Sequence, residues 1–541
     1  VKFNRTIFLI GLSALILSIL PFAVNIFIPV TSGRVNPHWD NWPYDFNYYR
    51  SVITQGKNGR ITAYDKYTSE NQSGKFLRVG YLALGHFSRI FNLDETTVYH
   101  FARIFLGIIF VFLIYLFIKI SLHREKLISL VFLLCLFCAG FPGISCDHGC
   151  HLVPRLWSMT QLNPIRTITF VPHFLWGQIT FIFVLYILLN SNKSLKWLII
   201  AGLFLGIAGL DHPPSLMLIF PVLGLTILSL VWKKTLTKNL LIRFSLVILI
   251  IIPFFIYLFN ATNSFPWILS RQASFSLGID FINFSIALGP TFIIGTIGAI
   301  IIFFSKRNEP IALIISASWL IAVIILTFIT NNFFNYSQTR FLQVAPQVPS
   351  AILTGYVIWG FYKKLIGYFS KKKATIIYTI VLLLIFLPTL STLYLLYYDQ
   401  FDYEIYFAKN SLPNIPYPPY IDYPPVDWME GFTWLRNNSK PNEIVLSDFT
   451  AGNFIPTYGG NTVFYGHKTE TYNADKKGEA VANFFKSEDA NEQKLFLIKN
   501  SINYIFYGPQ EKSYRQTELV IPGLKIVYRN PVVTIYKFGA N

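Results

Sequence analysis

The run Tyr44-Asp45-Phe46-Asn47-Tyr48-Tyr49-Arg50 puts a carboxylate, three tyrosines and an arginine within seven residues, just beyond the first long apolar segment. Charge at the mouth of a membrane protein is costly unless it is used, and a carboxylate is the ligand a hard divalent cation prefers. Acids are scarce elsewhere in the apolar part of the chain. Before residue 399, and outside the loop 31–97, they are Glu125, Asp147, Asp211, Asp280 and Glu309. Glu125 and Glu309 lie among lysines and arginines and read as solvated charge partners. Asp147, Asp211 and Asp280 fall in other connections and join Asp40 and Asp45 as available oxygen ligands. The alternative for each is to cap a helix or pair with a nearby arginine.

The elements that must position these groups are membrane helices. Hydrophobic residues make up 53% of the 541 and charged residues 13%, a pattern no single soluble core explains. Stretches of roughly bilayer-spanning length lie near 6–30, 98–118, 127–144, 167–189, 197–210, 215–232, 244–259, 284–304, 311–329, 343–361 and 374–398, which predicts about eleven spans. The stretch 197–210 is short and runs into Asp211-His212-Pro213-Pro214, so it also fits half of a re-entrant hairpin.

Lys2 and Arg5 precede the first span, and every second connection after it is basic, from Lys119/Arg124/Lys126 to Lys363/Lys364/Lys371/Lys372/Lys373. The other short connections hold Arg155, Arg166, Arg271 and Arg340. The amino terminus is therefore expected in the cytoplasm and the tail after 398 outside the cell membrane. The same count explains the net charge of +18 without nucleic acid: residues 399–541 carry 14 basic and 16 acidic side chains, so the excess lies in the membrane part, facing anionic lipid. The first segment, too long for a signal-peptide core, is expected to be a retained anchor.

The expected organisation is a transmembrane domain 1–398 with a large first external loop 31–97, a Pro/Tyr-rich connector 399–426, and an extracytoplasmic α/β domain 427–541. The run Phe76 to Phe87 has apolar residues at helical spacing, which suits a helix lying in the interface; read instead as a span it would invert every later basic loop. In the tail, helices are expected over 427–437, 474–487 and 490–500, and strands over 443–447, 503–507, 524–528 and 532–538.

The string Asp45-Phe46-Asn47-Tyr48-Tyr49-Arg50 after the first span resembles the first-external-loop motif of oligosaccharyltransferase catalytic subunits. More broadly, the chain resembles the GT-C membrane glycosyltransferases that use polyprenyl-phosphate sugars. The resemblance implies that Asp45 is the catalytic carboxylate and approaches a divalent cation (Mg or Mn), with Tyr49 beside it at the substrate. It places a second metal-binding acid in the next external loop, here Cys146-Asp147-His148-Gly149-Cys150-His151. Asp147 is thus a second metal ligand and His148 a third candidate. A zinc site of two cysteines and two histidines is the competing reading, and Cys146 and Cys150 are open to pairing or to remaining thiols. Arg340 opens a late span where the family holds the lipid-linked phosphate, a task suited to a planar fork of donors that stays charged; the alternative is an arginine snorkelling to headgroups. His212, His173 and Arg166 are further candidates for the same cavity.

The tail departs from the family. Where its Trp-Trp-Asp-Tyr-Gly motif recognises the acceptor hydroxyl amino acid, this chain has Ser447-Asp448-Phe449-Thr450-Ala451-Gly452, so transfer to asparagine sequons is not expected. The expected function is transfer of a sugar from a polyprenyl-phosphate donor to an extracytoplasmic glycan, lipid or protein. The alternative is a non-catalytic protein of this fold that binds or translocates lipid-linked glycans in envelope assembly. A transporter would place its ionisable groups nearer the midplane.

Overall fold

The computed structural model describes residues 4–39, 42–122, 124–146, 150–153, 163–190, 194–269, 281–333, 340–409, 422–515 and 517–539. The chain divides into two compact units. One comprises Val1–Pro21, Phe101–Leu258 and Ser274–Phe401, the other Phe22–His100, Phe259–Ala273 and Asp402–Asn541.

Among the described residues seven helices are long and apolar enough to cross a membrane: Arg5–Phe27, Glu95–Ser121, Pro172–Leu189, Pro213–Trp232, Lys238–Thr262, Ile311–Phe328 and Lys371–Tyr406. The stretches near 127–144 and 343–361 hold the helices Glu125–Phe137 and Gln347–Tyr368, and that near 197–210 the shorter apolar helix Leu195–Gly209. The stretch 284–304 is not one straight span. It is two helices, Phe281–Leu288 and Pro290–Phe304, bent by 113°. The break follows from the sequence: Gly289 takes φ +84°, and Pro290 opens the second helix where its missing N–H costs nothing. Leu383, Leu384, Leu387 and Leu390 are each at least 60% exposed, as side chains facing hydrocarbon would be.

Several buried hydroxyls in the first unit find partners on their own helices, while Thr354 and Thr392 donate across to the carbonyls of Thr291 and Gly140. Ser121, Thr226, Ser316 and Ser350 donate to the carbonyls of Phe117, Val222, Ala312 and Pro346, each four residues back. A small hairpin, β1 (Gly143–Ser145) with β2 (His151–Val153), is closed by a Cys146–Cys150 disulfide, which settles the open choice for these two cysteines.

In the second unit β3 (Ile444–Leu446), β4 (Thr462–Val463), β5 (Ile502–Tyr507), β6 (Leu524–Arg529) and β7 (Thr534–Phe538) form one sheet in the order β4-β3-β5-β7-β6. The first three strands are parallel and the last two antiparallel to their neighbours. Strand alternation sends Val445, Tyr504 and Phe506 into one apolar cluster and Leu446, Ile505 and Tyr507 into another. The first cluster also contains Tyr48 and Tyr67, so the loop after the first span and the tail share a core.

The amphipathic run forms the helix Val79–Phe91, but its buried face is spent inside the protein. Tyr81, Leu82, Gly85 and Ser88 pack on the helix Pro43–Lys57. Two glycines set that crossing: a Cβ on Gly56 would meet the Leu82 carbonyl oxygen at 2.2 Å, and one on Gly85 the Ile53 carbonyl oxygen at 2.1 Å.

Candidate active site

Asp45 lies in the first turn of the helix Pro43–Lys57, which opens with proline at a position where no N–H is needed. A carboxylate there is favoured by the positive end of the helix dipole. Its side chain is 54% exposed, and its Oδ1 lies 3.5 Å from Nε2 of His467, whose side chain is only 6% exposed.

The loop after β4 fixes that histidine. The backbone N–H groups of Thr469 and Glu470 donate to its Nδ1 at 3.2 and 3.3 Å. Thr471 Oγ1 accepts from the backbone N–H of His467 at 3.1 Å and donates to the Tyr67 carbonyl at 2.8 Å. With Nδ1 occupied as an acceptor, the ring hydrogen belongs on Nε2, the nitrogen that faces Asp45. The rings of Tyr44, Tyr48 and Tyr67 surround it, with centroids 6.3, 6.0 and 5.4 Å away.

A second helix, Phe449–Tyr458, seats this loop against the Asp45 helix. Asp448 caps it by accepting from the Phe449 N–H. Gly452 and Gly466 let two backbones touch, since a Cβ on Gly452 would stand 2.0 Å from the Tyr465 carbonyl oxygen. Asn453 donates to the Gly466 carbonyl and accepts from Asn47 Nδ2 at 2.8 Å. Thr457 Oγ1 donates to the Asn47 carbonyl at 2.6 Å, and Arg50 donates to the Tyr458 hydroxyl at 2.6 Å while lying over the Phe46 and Tyr458 rings. The polar residues that follow Asp45 therefore act as scaffold. Tyr49 stacks on Tyr81 with ring centroids 4.8 Å apart.

Buried acids surround this framework. Burial and the nearby Glu470 push the Asp65 carboxyl well above its ordinary range, and Lys477 pairs with Glu70 at 2.7 Å. Burial and the Asp448 carboxylate push Glu511 up to about 7, although its two oxygens accept from the backbone N–H groups of Asp448 and Gly508 at 2.6 and 2.9 Å.

Arg340, His173 and His212 belong to the other unit and are described within it. His173 and His212 stand at the starts of the helices Pro172–Leu189 and Pro213–Trp232, with ring centroids 6.0 Å apart, and His212 Nδ1 is 2.7 Å from Ser215 Oγ. Arg340 opens the 3-10 turn Arg340–Gln343, and the Gln343 carbonyl accepts from Gln178 of the His173 helix at 2.8 Å. The same turn supplies Leu342 to a cavity of about 350 Å³, open solvent included, also lined by Thr291, Phe292, Pro346, Gln347 and Ser350.

Asp147 and His148 lie outside the described residues, as do Asp40, Asp280, Arg155 and Arg271. Among the described residues no group of three or more His, Cys, Asp or Glu side chains is placed to hold a metal ion. Asp45 offers oxygen, but His467 turns an N–H toward it rather than a lone pair, so the described residues alone do not make a cation site. Sequence reasoning missed His467 and the helix Phe449–Tyr458. The available signal was that His467 is the one histidine after His212.

No protein-family model matches the chain, and no curated protein matches it. Solved structures do. The archaeal oligosaccharyltransferase AglB from Archaeoglobus fulgidus, in complex with an inhibitory peptide and a dolichol-phosphate, is similar over 93% of this chain and 69% of its own, with 13% identity and a TM-score of 0.55. The same oligosaccharyltransferase in complex with Zn and sulfate covers 92% and 67%, with 15% identity and a TM-score of 0.51. The arabinofuranosyltransferase AftD from Mycobacteria is similar over 99% of this chain but only 40% of its own length, with 13% identity and a TM-score of 0.55. At such identities the likeness is one of architecture, and this membrane protein has the fold of the GT-C glycosyltransferases.

Proposed function

We propose that the protein is a glycosyltransferase of the cell membrane that moves a sugar from a polyprenyl-phosphate donor to an acceptor on the extracytoplasmic side. The observation that carries this reading is the half-exposed Asp45 carboxylate, set at a helix amino terminus and opposed by the buried His467. The alternation of basic connections supports an outer location for Asp45 and the tail.

In the proposed step Asp45 takes the proton of the acceptor hydroxyl as its oxygen bonds to the anomeric carbon. The bond from that carbon to the phosphate oxygen breaks, and its electron pair leaves with the phosphate. Arg340 holds the departing phosphate through paired N–H donors. The cleft beside its turn is lined by both apolar side chains and hydroxyl and amide groups, among them Thr291, Gln347 and Ser350. His173, His212 and Tyr49 are assigned to substrate binding. A divalent cation, when bound, would stabilise the phosphate; its assigned ligands are Asp45, Asp147 and His148, and no step above depends on it.

The test is transfer of labelled sugar from a panel of polyprenyl-phosphate donors by wild type, Asp45→Asn and Arg340→Ala. The expected result is a loss of roughly 10²–10⁴-fold for Asp45→Asn. Equal transfer by wild type and Asp45→Asn would remove the catalytic assignment and favour a protein that binds or translocates lipid-linked glycans.

A further inference from the structure

We infer that His467 is the positioning residue of Asp45: its Nε2–H holds Oδ1 of the carboxylate and so turns Oδ2 toward the acceptor hydroxyl. This rests on the proposed role of Asp45 but concerns a residue of the tail, more than four hundred positions away in sequence.

The geometry allows His467 one job at this place. Three groups, the Thr469 and Glu470 N–H and the Thr469 hydroxyl, gather at Nδ1 within 3.1–3.3 Å, which leaves the ring hydrogen for Nε2. The ring is buried among three tyrosines, and a buried N–H without a partner costs more than it would in water. The Asp45 carboxylate, 3.5 Å away, is the acceptor that meets this need. At 3.5 Å the two atoms are not yet hydrogen-bonded and Nε2 is left without a hydrogen-bond partner among the described residues, so the contact is one that must tighten when substrate binds, as catalytic contacts often do. A half-exposed aspartate otherwise turns freely about its last torsion, so fixing one oxygen sets the lone pairs of the other. The rate gain comes from orientation and needs no change in the charge of either group.

Wild type, His467→Leu, His467→Gln and the pair Asp45→Asn/His467→Leu are compared in donor and acceptor titrations with the full chain in lipid nanodiscs. His467→Leu is expected to lower kcat roughly 10- to 100-fold with little change in either KM. His467→Gln, which keeps an N–H, should recover much of that loss. The double variant should be no slower than Asp45→Asn alone. Additive losses, a change confined to KM, or equal damage from Leu and Gln would overturn the inference. Nitrogen-15 spectra of histidine-labelled protein give a readout that does not depend on transfer, with the His467 signal assigned by its loss in His467→Gln. An Nε2–H tautomer whose shift moves in Asp45→Asn is expected, and an Nδ1–H tautomer overturns the inference even if no donor is turned over. Absence of transfer by wild type with the expected spectra would instead count against the proposed function.

Discussion

Glu511 offers the sharpest test of the energetics around the site. Its carboxyl is fully buried, accepts two backbone N–H bonds and lies near Asp448, and it is raised from 4.5 to about 7. Between these values the folded state keeps a proton that the unfolded state releases. The associated stability is therefore complete below pH 4.5, falls as pH rises, and is gone above about pH 7. From pH 5 to pH 8 the loss is about 2.5 kcal/mol, or roughly seventyfold in an opening equilibrium. Because a two-unit membrane protein has no single unfolding transition, the assay should be local. Hydrogen exchange of the segments 448–452 and 508–514, corrected for the intrinsic pH dependence, should show that increase in wild type. In Glu511→Gln the amide cannot ionise, so the slope across the same window should be much shallower, what remains belonging to the buried Asp448, whose carboxyl is also raised by burial. Parallel slopes in the two proteins would refute the assignment of the pH dependence to Glu511.

Gly56→Ala puts a methyl 2.2 Å from the Leu82 carbonyl oxygen and should cost about 1–3 kcal/mol, read as earlier thermal unfolding and faster proteolysis of the loop 43–91. Asn453→Ala removes the partner of Asn47 and one bond to Gly466, and should cost about 1–3 kcal/mol in local hydrogen exchange while also lowering transfer, because both bonds hold the framework of Asp45. Because a bound cation would stabilise the departing phosphate, chelation should slow transfer and return of Mg or Mn should restore it; transfer unchanged after exhaustive chelation would remove Asp45, Asp147 and His148 as metal ligands.

What the sequence made legible was what depends on local pattern. Apolar length marked the membrane helices, and alternating apolar residues marked β3, β5, β6 and β7 near their observed places. The bend at Gly289-Pro290 escaped because hydropathy continues smoothly from Phe284 to Phe304, and a reading by apolar length alone passes over the local breaker within the run. The helix Phe449–Tyr458 escaped because Gly452 and Pro456 both lie inside it, and both weaken helix propensity. Its stability comes from contacts with Asn47 and Tyr67, which are distant in sequence, and with Gly466 in the loop that follows β4. His467 was illegible for the same reason: its partner, Asp45, is joined to it only by the fold.

The substituted run Ser447–Gly452 takes on a different meaning in this light. Asp448 spends one oxygen on capping the helix, Thr450 donates its N–H to Gln510, and Gly452 is bare so that Tyr465 and Gly466 can lie directly on it. The first two fix the helix Phe449–Tyr458 in place, and the third seats the loop that carries His467 directly on it. Were this segment free to read an acceptor, its polar groups would have to face solvent, yet Ser447, Asp448 and Thr450 are all buried. Phe449 is the partly exposed member, and it meets Tyr44, the neighbour of Asp45, with ring centroids 5.3 Å apart. The segment thus acts on the proposed chemistry from beneath, through the position of His467. Under the proposed function, the paired rings of Tyr44 and Phe449 beside Asp45 would offer an incoming acceptor an apolar face rather than a hydrogen-bond code.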